Sequence, residues 1–235
     1  MASPAAAYDD PAHAYVTNID DDTVSVIDTK TNAVTTTIPV GDYPIGVAIT
    51  PKGDRAYVAN DLDDTMSVID TKTNTVTTTV PTGGNGPGHL AITPNGQRIY
   101  VTNASSDNVS VISTGTNAVI TTIPAGDLPN GVAITPSGQR AYVTNLNSGT
   151  VSVIDTKTNT VTTTIPVGTW PRGVAFTLNG ERAYVANQLD NTVSVIDTKT
   201  NTVTTTIPVG DEPNGVAITP QTVAERNSSN SPTSS

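Results

Sequence analysis

The chain has 235 residues, a formal net charge of −10 and no cysteine, which excludes disulfides and thiolate metal sites. Hydrophobic residues make up 35% but aromatics only 4%, so a core has to be built from Val, Ile, Ala and Thr, a strand-forming inventory. No apolar run is long enough for a membrane-spanning helix, and the acidic balance disfavours binding to a phosphate backbone.

Residues 1–12 are small, polar and proline-bearing, and read as a flexible N-terminal tail. Met1–Ala7 lack the basic start and apolar centre of an intact secretory leader. The expectation is an extracellular or periplasmic protein with its leader removed, or else a cytoplasmic one.

From His13 the chain repeats. A Tyr-Val-(Thr/Ala)-Asn tetrad starts at Tyr15, Tyr57, Tyr100, Tyr142 and Tyr184, so successive copies lie 42 or 43 residues apart. A fixed period of that size points to stacked supersecondary units. A full copy holds four strand-like segments with period-two alternation: A (Gly46–Thr50), B (Arg55–Asn60), C (Thr65–Asp70) and D (Thr75–Val80). Between A and B stand Thr-Pro-Lys-Gly at 50–53 and its counterparts at 93–96, 135–138 and 177–180. Proline presets the first turn position, and glycine takes a positive φ in a tight hairpin. Between C and D stands Asp-Thr-Lys-Thr-Asn, which predicts left-handed backbone at Asn32, Asn74, Asn117, Asn159 and Asn201.

Four short antiparallel strands per repeat make a propeller blade. The chain opens with B, C and D and finishes with an extra A at 215–219. The N-terminal B-C-D strands plus the C-terminal A strand would complete one blade. The expectation is therefore an all-β, single five-bladed β-propeller of four-stranded antiparallel blades over residues 13–220. Residues 221–235 are a Ser-rich tail, disordered by composition.

The tetrad, the Val-Ser-Val-Ile-Asp segment and the Ile-Pro-Val-Gly…Pro-x-Gly-Val-Ala-Ile-Thr-Pro stretch together resemble the YVTN-repeat β-propeller family of surface-layer-type repeat proteins, over about residues 13–220. The resemblance implies a surface or extracytoplasmic protein. Five copies depart from the seven blades of most members. Such a family implies fold far more than function.

Register follows from the repeat. If Asn60 opposes Thr65, then Tyr57 opposes Val68 and Arg55 opposes Asp70; likewise Arg140 opposes Asp155, Arg182 opposes Asp197, His13 opposes Asp28 and Arg98 opposes Ser113. Facing opposite charges are expected to form exposed ion pairs. A residue present in every blade serves the blade. The tyrosines should pack between blades with a satisfied hydroxyl, and the tetrad asparagines should bond backbone in the B-to-C loop.

Function belongs where copies differ, in the D-to-A and B-to-C loops, which an up-and-down meander places at one end. Those loops are acidic. Asp42, Tyr43, His89, Asp127, Trp170, Arg172, Asp211 and Glu212 are the candidate ligand-binding residues. Trp170, the only tryptophan, is expected in an exposed loop slot, either to stack a sugar or anchor a partner or to pack over a neighbouring loop. His89 takes a slot that is glycine in the other copies and is expected at a channel mouth. Asp20, Asp22, Asp61, Asp63 and Asp64 could hold Ca²⁺ weakly, although no calcium-loop spacing is present; otherwise no cofactor or metal is expected.

These residues favour a non-enzymatic, monomeric binding scaffold whose acidic loop face meets a protein or glycan partner. The alternative is a propeller lyase or hydrolase using His89 and nearby carboxylates. A weaker alternative is nucleic-acid binding through the Lys/Arg-rich opposite face.

Overall fold

The computed structural model describes residues 12–219, so the expected tails lie largely outside the described residues. The chain divides into two compact units, Met1–Thr122 and Ile123–Ser235. All sheets are antiparallel meanders, and among the described residues the only helix is a 3-10 turn at Ala104–Ser106.

The first unit opens with a three-stranded sheet, β1 (His13–Asn18), β2 (Thr23–Asp28) and β3 (Ala33–Pro39). Two four-stranded sheets follow. One is β4 (Pro44–Ile49), β5 (Arg55–Asn60), β6 (Thr65–Asp70) and β7 (Thr75–Pro81); the other is β8 (Pro87–Ile92), β9 (Arg98–Asn103), β10 (Asn108–Ser113) and β11 (Ala118–Pro124). The unit boundary falls within β11.

The second unit holds two further four-stranded sheets: β12 (Pro129–Ile134), β13 (Arg140–Asn145), β14 (Thr150–Asp155) and β15 (Thr160–Pro166), then β16 (Pro171–Phe176), β17 (Arg182–Asn187), β18 (Thr192–Asp197) and β19 (Thr202–Pro208). The four segments of each repeat are thus the four strands of one sheet.

Central strands are buried on both faces, as in Ala56–Asn60 and Met66–Ile69. They read as near-continuous apolar runs because the β4–β7 sheet is covered by the sheet before it and the sheet after it. Outer strands such as β7 are largely exposed and rich in threonine, and each ends in proline, which lacks an N–H for further pairing. In the first unit Val24, Val26 and Ile38 pack against Ala56, Val58 and Ile69 of the following sheet. In the second, Tyr142, Val151, Val153 and Ile165 pack against Ala183, Val185 and Ile196.

The expected register holds at every B–C pair: Arg55↔Asp70, Arg98↔Ser113, Arg140↔Asp155, Arg182↔Asp197 and His13↔Asp28. The turns also follow expectation. Gly53, Gly96, Gly138 and Gly180 have φ of 71–73°, and the five C-to-D asparagines have φ of 53–55°.

Three expectations need correction. At Arg55–Asp70 and Arg140–Asp155 the facing charges do other work than pairing. Asp70 Oδ1 accepts the N–H groups of Lys72 and Thr73, while Arg55 Nη1 donates to the Thr114 carbonyl in the next sheet at 2.8 Å. Arg140 reaches the Thr198 carbonyl in the same way. A fixed fork beside a free carbonyl is better used across sheets than on a carboxylate already engaged by its own turn. The tetrad asparagines, secondly, bond strand C and the D-to-A loop rather than backbone in the B-to-C loop: Asn145 Oδ1 accepts Gly126 N and Asn187 Oδ1 accepts Gly168 N, each at 3.1 Å. Asn145 Nδ2 donates to Thr150 Oγ1 and Ser152 Oγ of strand C, each at 3.0 Å.

Thirdly, the blade expected to be completed by 215–219 stands at three strands, and residues 213–219 carry no strand pairing. In the second unit this segment bonds sideways instead: Gly173 N donates to Asn214 O at 2.8 Å.

Inner strands approach closely at a glycine in β4, β12 and β16. A Cβ on Gly46 would sit 2.6 Å from the Gly88 carbonyl oxygen of β8, and one on Gly131 would collide with the Arg172 carbonyl of β16. His89 occupies the same slot in β8.

Candidate functional site

The D-to-A and B-to-C loops meet within each unit, through contacts that recur at half a repeat. The B-to-C loop donates N–H groups back to the D-to-A loop of its own blade: Asp61 N to Tyr43 O at 3.0 Å, Leu146 N to Leu128 O at 3.0 Å and Gln188 N to Trp170 O at 3.0 Å. Its side chains then cap the D-to-A amides. Asp63 Oδ2 accepts Asp42 N at 2.9 Å, Ser106 Oγ accepts Asn85 N at 2.8 Å, Ser148 Oγ accepts Asp127 N at 2.9 Å and Asp190 Oδ2 accepts Thr169 N at 2.7 Å.

A second clamp comes from the preceding blade. Asp22 Oδ1 accepts Tyr43 N at 2.9 Å, Asp64 Oδ1 accepts Gly86 N at 2.9 Å and Asn191 Oδ1 accepts Glu212 N at 2.9 Å. The close fit explains the glycine that opens the loop at Gly41, Gly126 and Gly168. A Cβ on Gly168 would lie 2.5 Å from Asp190 Oδ2 and 2.6 Å from Asn187 Cγ.

Each D-to-A loop has left-handed backbone at the residue just before its proline. Its φ is 58° at Tyr43, 67° at Gly86, 56° at Leu128, 54° at Trp170 and 48° at Glu212. For residues other than glycine this conformation is uncommon and costs energy, so it persists only where the surroundings impose it. The capped loop supplies that constraint. Side-chain identity at the slot varies while the backbone does not.

The sequence-derived candidates are distributed as follows. In the first unit Asp42 and Tyr43 are exposed and sit between the caps from Asp63 and Asp22. His89 is exposed on β8, with its N–H donated to Thr102 Oγ1 and its carbonyl accepting from that hydroxyl, both at 3.1 Å. In the second unit Asp127 is exposed and accepts from Asn147 Nδ2, and Asp211 accepts from Asn191 Nδ2. Trp170, expected in an exposed slot, is half-buried. The Arg172 guanidinium lies 5.5 Å from its ring centroid and donates through Nε to Gln188 Oε1 at 2.7 Å. A guanidinium over an indole face is a favourable cation–π arrangement.

Asp22, Asp63 and Asp64, weighed above as calcium ligands, spend carboxylate oxygens on loop N–H groups. Among the described residues no group of three or more His, Asp or Glu is placed to hold a metal ion. Asp61 differs from its neighbours: burial, and then the charge of Asp64, push its carboxyl above the ordinary range. Of the capping side chains, Ser106, Ser148, Asp190 and Asn191 were not among the sequence-derived candidates. Their signal was present as acceptors 21 residues from the amides they cap, half the repeat period.

The family model described as a YNCE-like beta-propeller matches residues 1–95 and 55–130, together more than half of the chain. A second, described as lactonase, 7-bladed beta-propeller, matches residues 132–214. Among solved structures, Kuenenia stuttgartiensis hydrazine synthase superposes with a TM-score of 0.76 at 24% identity, covering 85% of this chain and 64% of that one. A functionally unknown protein from Desulfotomaculum acetoxidans superposes with a TM-score of 0.78 at 22% identity, covering 88% and 69%. This chain therefore spans less than two thirds of the length of the first and 69% of the second. The comparison with curated proteins finds no match. Likeness at these identities speaks for fold alone, an all-β propeller. With its family model spanning residues 1–130, the chain belongs to the YNCE-like beta-propeller family.

Proposed function

We propose that this chain is a non-enzymatic binding scaffold of the YVTN-repeat type, working at a cell surface or in an extracytoplasmic compartment. Its capped loops present variable side chains to a partner segment that carries positive charge. One observation supports the reading above the rest: a repeated left-handed slot, clamped by neighbouring loops, in which Tyr43, Leu128, Trp170 and Glu212 differ from one another. A rigid frame with variable side chains recognises a partner without ordering cost at the moment of binding. The acids beside the slots, Asp42, Asp127 and Asp211, favour a basic or cationic surface and steer it. The surface location rests on the YVTN resemblance.

Trp170 is the only tryptophan, so its emission reports on its own slot. A lysine-rich peptide and neutral oligosaccharides are titrated separately while that emission is followed. The expected result is a saturable shift with the peptide, weakened by added salt and abolished by exchanging Asp211 and Glu212 for their amides. A shift with an oligosaccharide alone would move the partner class to glycans. No shift with either, together with a hydrolytic or lyase turnover lost in His89→Ala, would replace the scaffold by an enzyme.

A further inference from the structure

Asn187 ties two strand hydroxyls and one loop amide together inside the second unit. Its Nδ2 donates to Thr192 Oγ1 at 3.0 Å and to Ser194 Oγ at 2.9 Å, and its Oδ1 accepts Gly168 N at 3.1 Å. Asn145 makes the same three bonds, to Thr150, Ser152 and Gly126, so the arrangement belongs to the blade. Because Asn187 enters as the donor, it occupies oxygen lone pairs and leaves both hydroxyl protons to be spent elsewhere. Among the described residues neither proton has an acceptor within hydrogen-bond distance. Ser194 is 2% exposed, and a buried hydroxyl proton without an acceptor carries a desolvation cost.

These hydroxyls line a cleft of about 540 Å³, set between β18 and β19 on one side and the exit of β15 on the other. Thr206, opposite Ser194 in the β18–β19 register, continues the hydroxyl row onto the exposed outer strand. Pro166 and Val167 stand across from this row, and Val203 adds apolar surface beside it. Asp190 stands at the loop end of the cleft. It spends Oδ2 on Thr169 N at 2.7 Å, and its other oxygen remains an acceptor. No lysine or arginine is among the lining residues, so charge does not favour an anion there.

We propose that this cleft is a binding site for a neutral saccharide unit. A sugar hydroxyl is at once donor and acceptor. Its oxygen takes the protons of Thr192, Ser194 and Thr206, and its own proton goes to Asp190. The C–H surface of a pyranose ring packs against Pro166, Val167 and Val203. The cleft has the volume of a small-molecule site and the mixture of apolar wall and few polar groups that such sites use. A sugar carrying a carboxylate meets Asp190 as a like charge and is rejected. The inference is independent of the loop-face proposal, because Thr206 lies on the outer strand β19 and holds no left-handed slot.

The full chain, labelled with heavy nitrogen, is titrated separately with glucose, galactose, mannose and N-acetylglucosamine while amide chemical shifts are followed. The expected result is a saturable shift at Gly168, Ser194 and Thr206 with at least one of these sugars, unchanged by added salt. Glucuronate should give no saturable shift at these amides. Thr206→Val removes a hydroxyl at an exposed position and should weaken the binding about tenfold while leaving the far-ultraviolet spectrum unchanged. Ser194→Ala should weaken it as well. No saturable shift with any of the four sugars would overturn the proposal, and so would shifts that survive both substitutions or that glucuronate reproduces. A sugar response in Trp170 emission that is unchanged in Thr206→Val would place the sugar on the loop face and overturn the cleft site too.

Discussion

The Tyr142 hydroxyl donates a 2.5 Å hydrogen bond to Oδ1 of Asn201, 59 residues along the chain, and Asn201 holds a left-handed backbone with φ of 54°. One contact therefore joins the packing of a blade to the turn chemistry of its neighbour. Burial raises the Tyr142 phenol above its ordinary value, which keeps it a donor. Tyr142→Phe should cost about 1 kcal/mol, the net worth of a satisfied buried hydrogen bond. Tyr142→Ala should cost about 3–5 kcal/mol because the ring, edge-on to Phe176 at 4.9 Å between centroids, leaves a cavity. Urea unfolding of the two variants separates hydroxyl from ring.

Two glycines should respond differently to a single methyl group. Gly53 has φ of 73° and open space around it, so Gly53→Ala carries only the conformational penalty, about 1–2 kcal/mol. Gly46→Ala also drives a Cβ against the Gly88 carbonyl, so its loss should exceed that of Gly53→Ala. Thermal unfolding of both variants gives the order.

Acid should loosen the turns in a defined window. The Asp70 carboxyl is held below the ordinary range by the Thr73 N–H first; Asp28, Asp155 and Asp197 are held there by Thr31, Thr158 and Thr200. A carboxyl lowered in the fold contributes stability above its unfolded pKa and loses it as pH falls through the folded value. The loss therefore falls at and below the ordinary carboxylate value of 3.8. Asp155→Asn should show a shallower acid loss than the parent chain. Asp61 has the opposite sign: its raised carboxyl ionises at a cost, so Asp61→Asn should gain stability at neutral pH, with no gain below the ordinary value. Melting temperature against pH at constant ionic strength tests both.

Arg172 shields the Trp170 ring and is fixed by Gln188. Arg172→Ala should shift the tryptophan emission to longer wavelength as water reaches the indole, and Gln188→Ala should do so less. Unchanged emission in both would mean that the ring is covered by something else.

Much of the fold was legible because repetition forces each local rule to be stated five times. The tetrad spacing, the glycine of the A-to-B turns and the left-handed asparagines all followed from turn chemistry and alternation. The register was legible too, yet the role of its charges was not. Arg55 and Asp70 face each other, but whether a guanidinium reaches across or onward depends on a carbonyl in the next blade, which pairing alone does not place. The loop acids illustrate the same limit. Asp22 and Asp63 resemble metal ligands in composition, and only the fold brings the Tyr43 and Asp42 amides to them. The unpaired 215–219 segment shows that a strand sequence is not a strand until an edge meets it.

Loops held rigid by side-chain caps are the claim on which the binding reading depends. Amide hydrogen exchange at Tyr43 and Thr169, in the parent chain and in Asp22→Ala and Asp190→Ala, tests it most directly. The account predicts protected amides in the parent and roughly tenfold or greater acceleration at the uncapped amide, with strand amides unmoved. Exchange at the rate of an open peptide in the parent chain would contradict it.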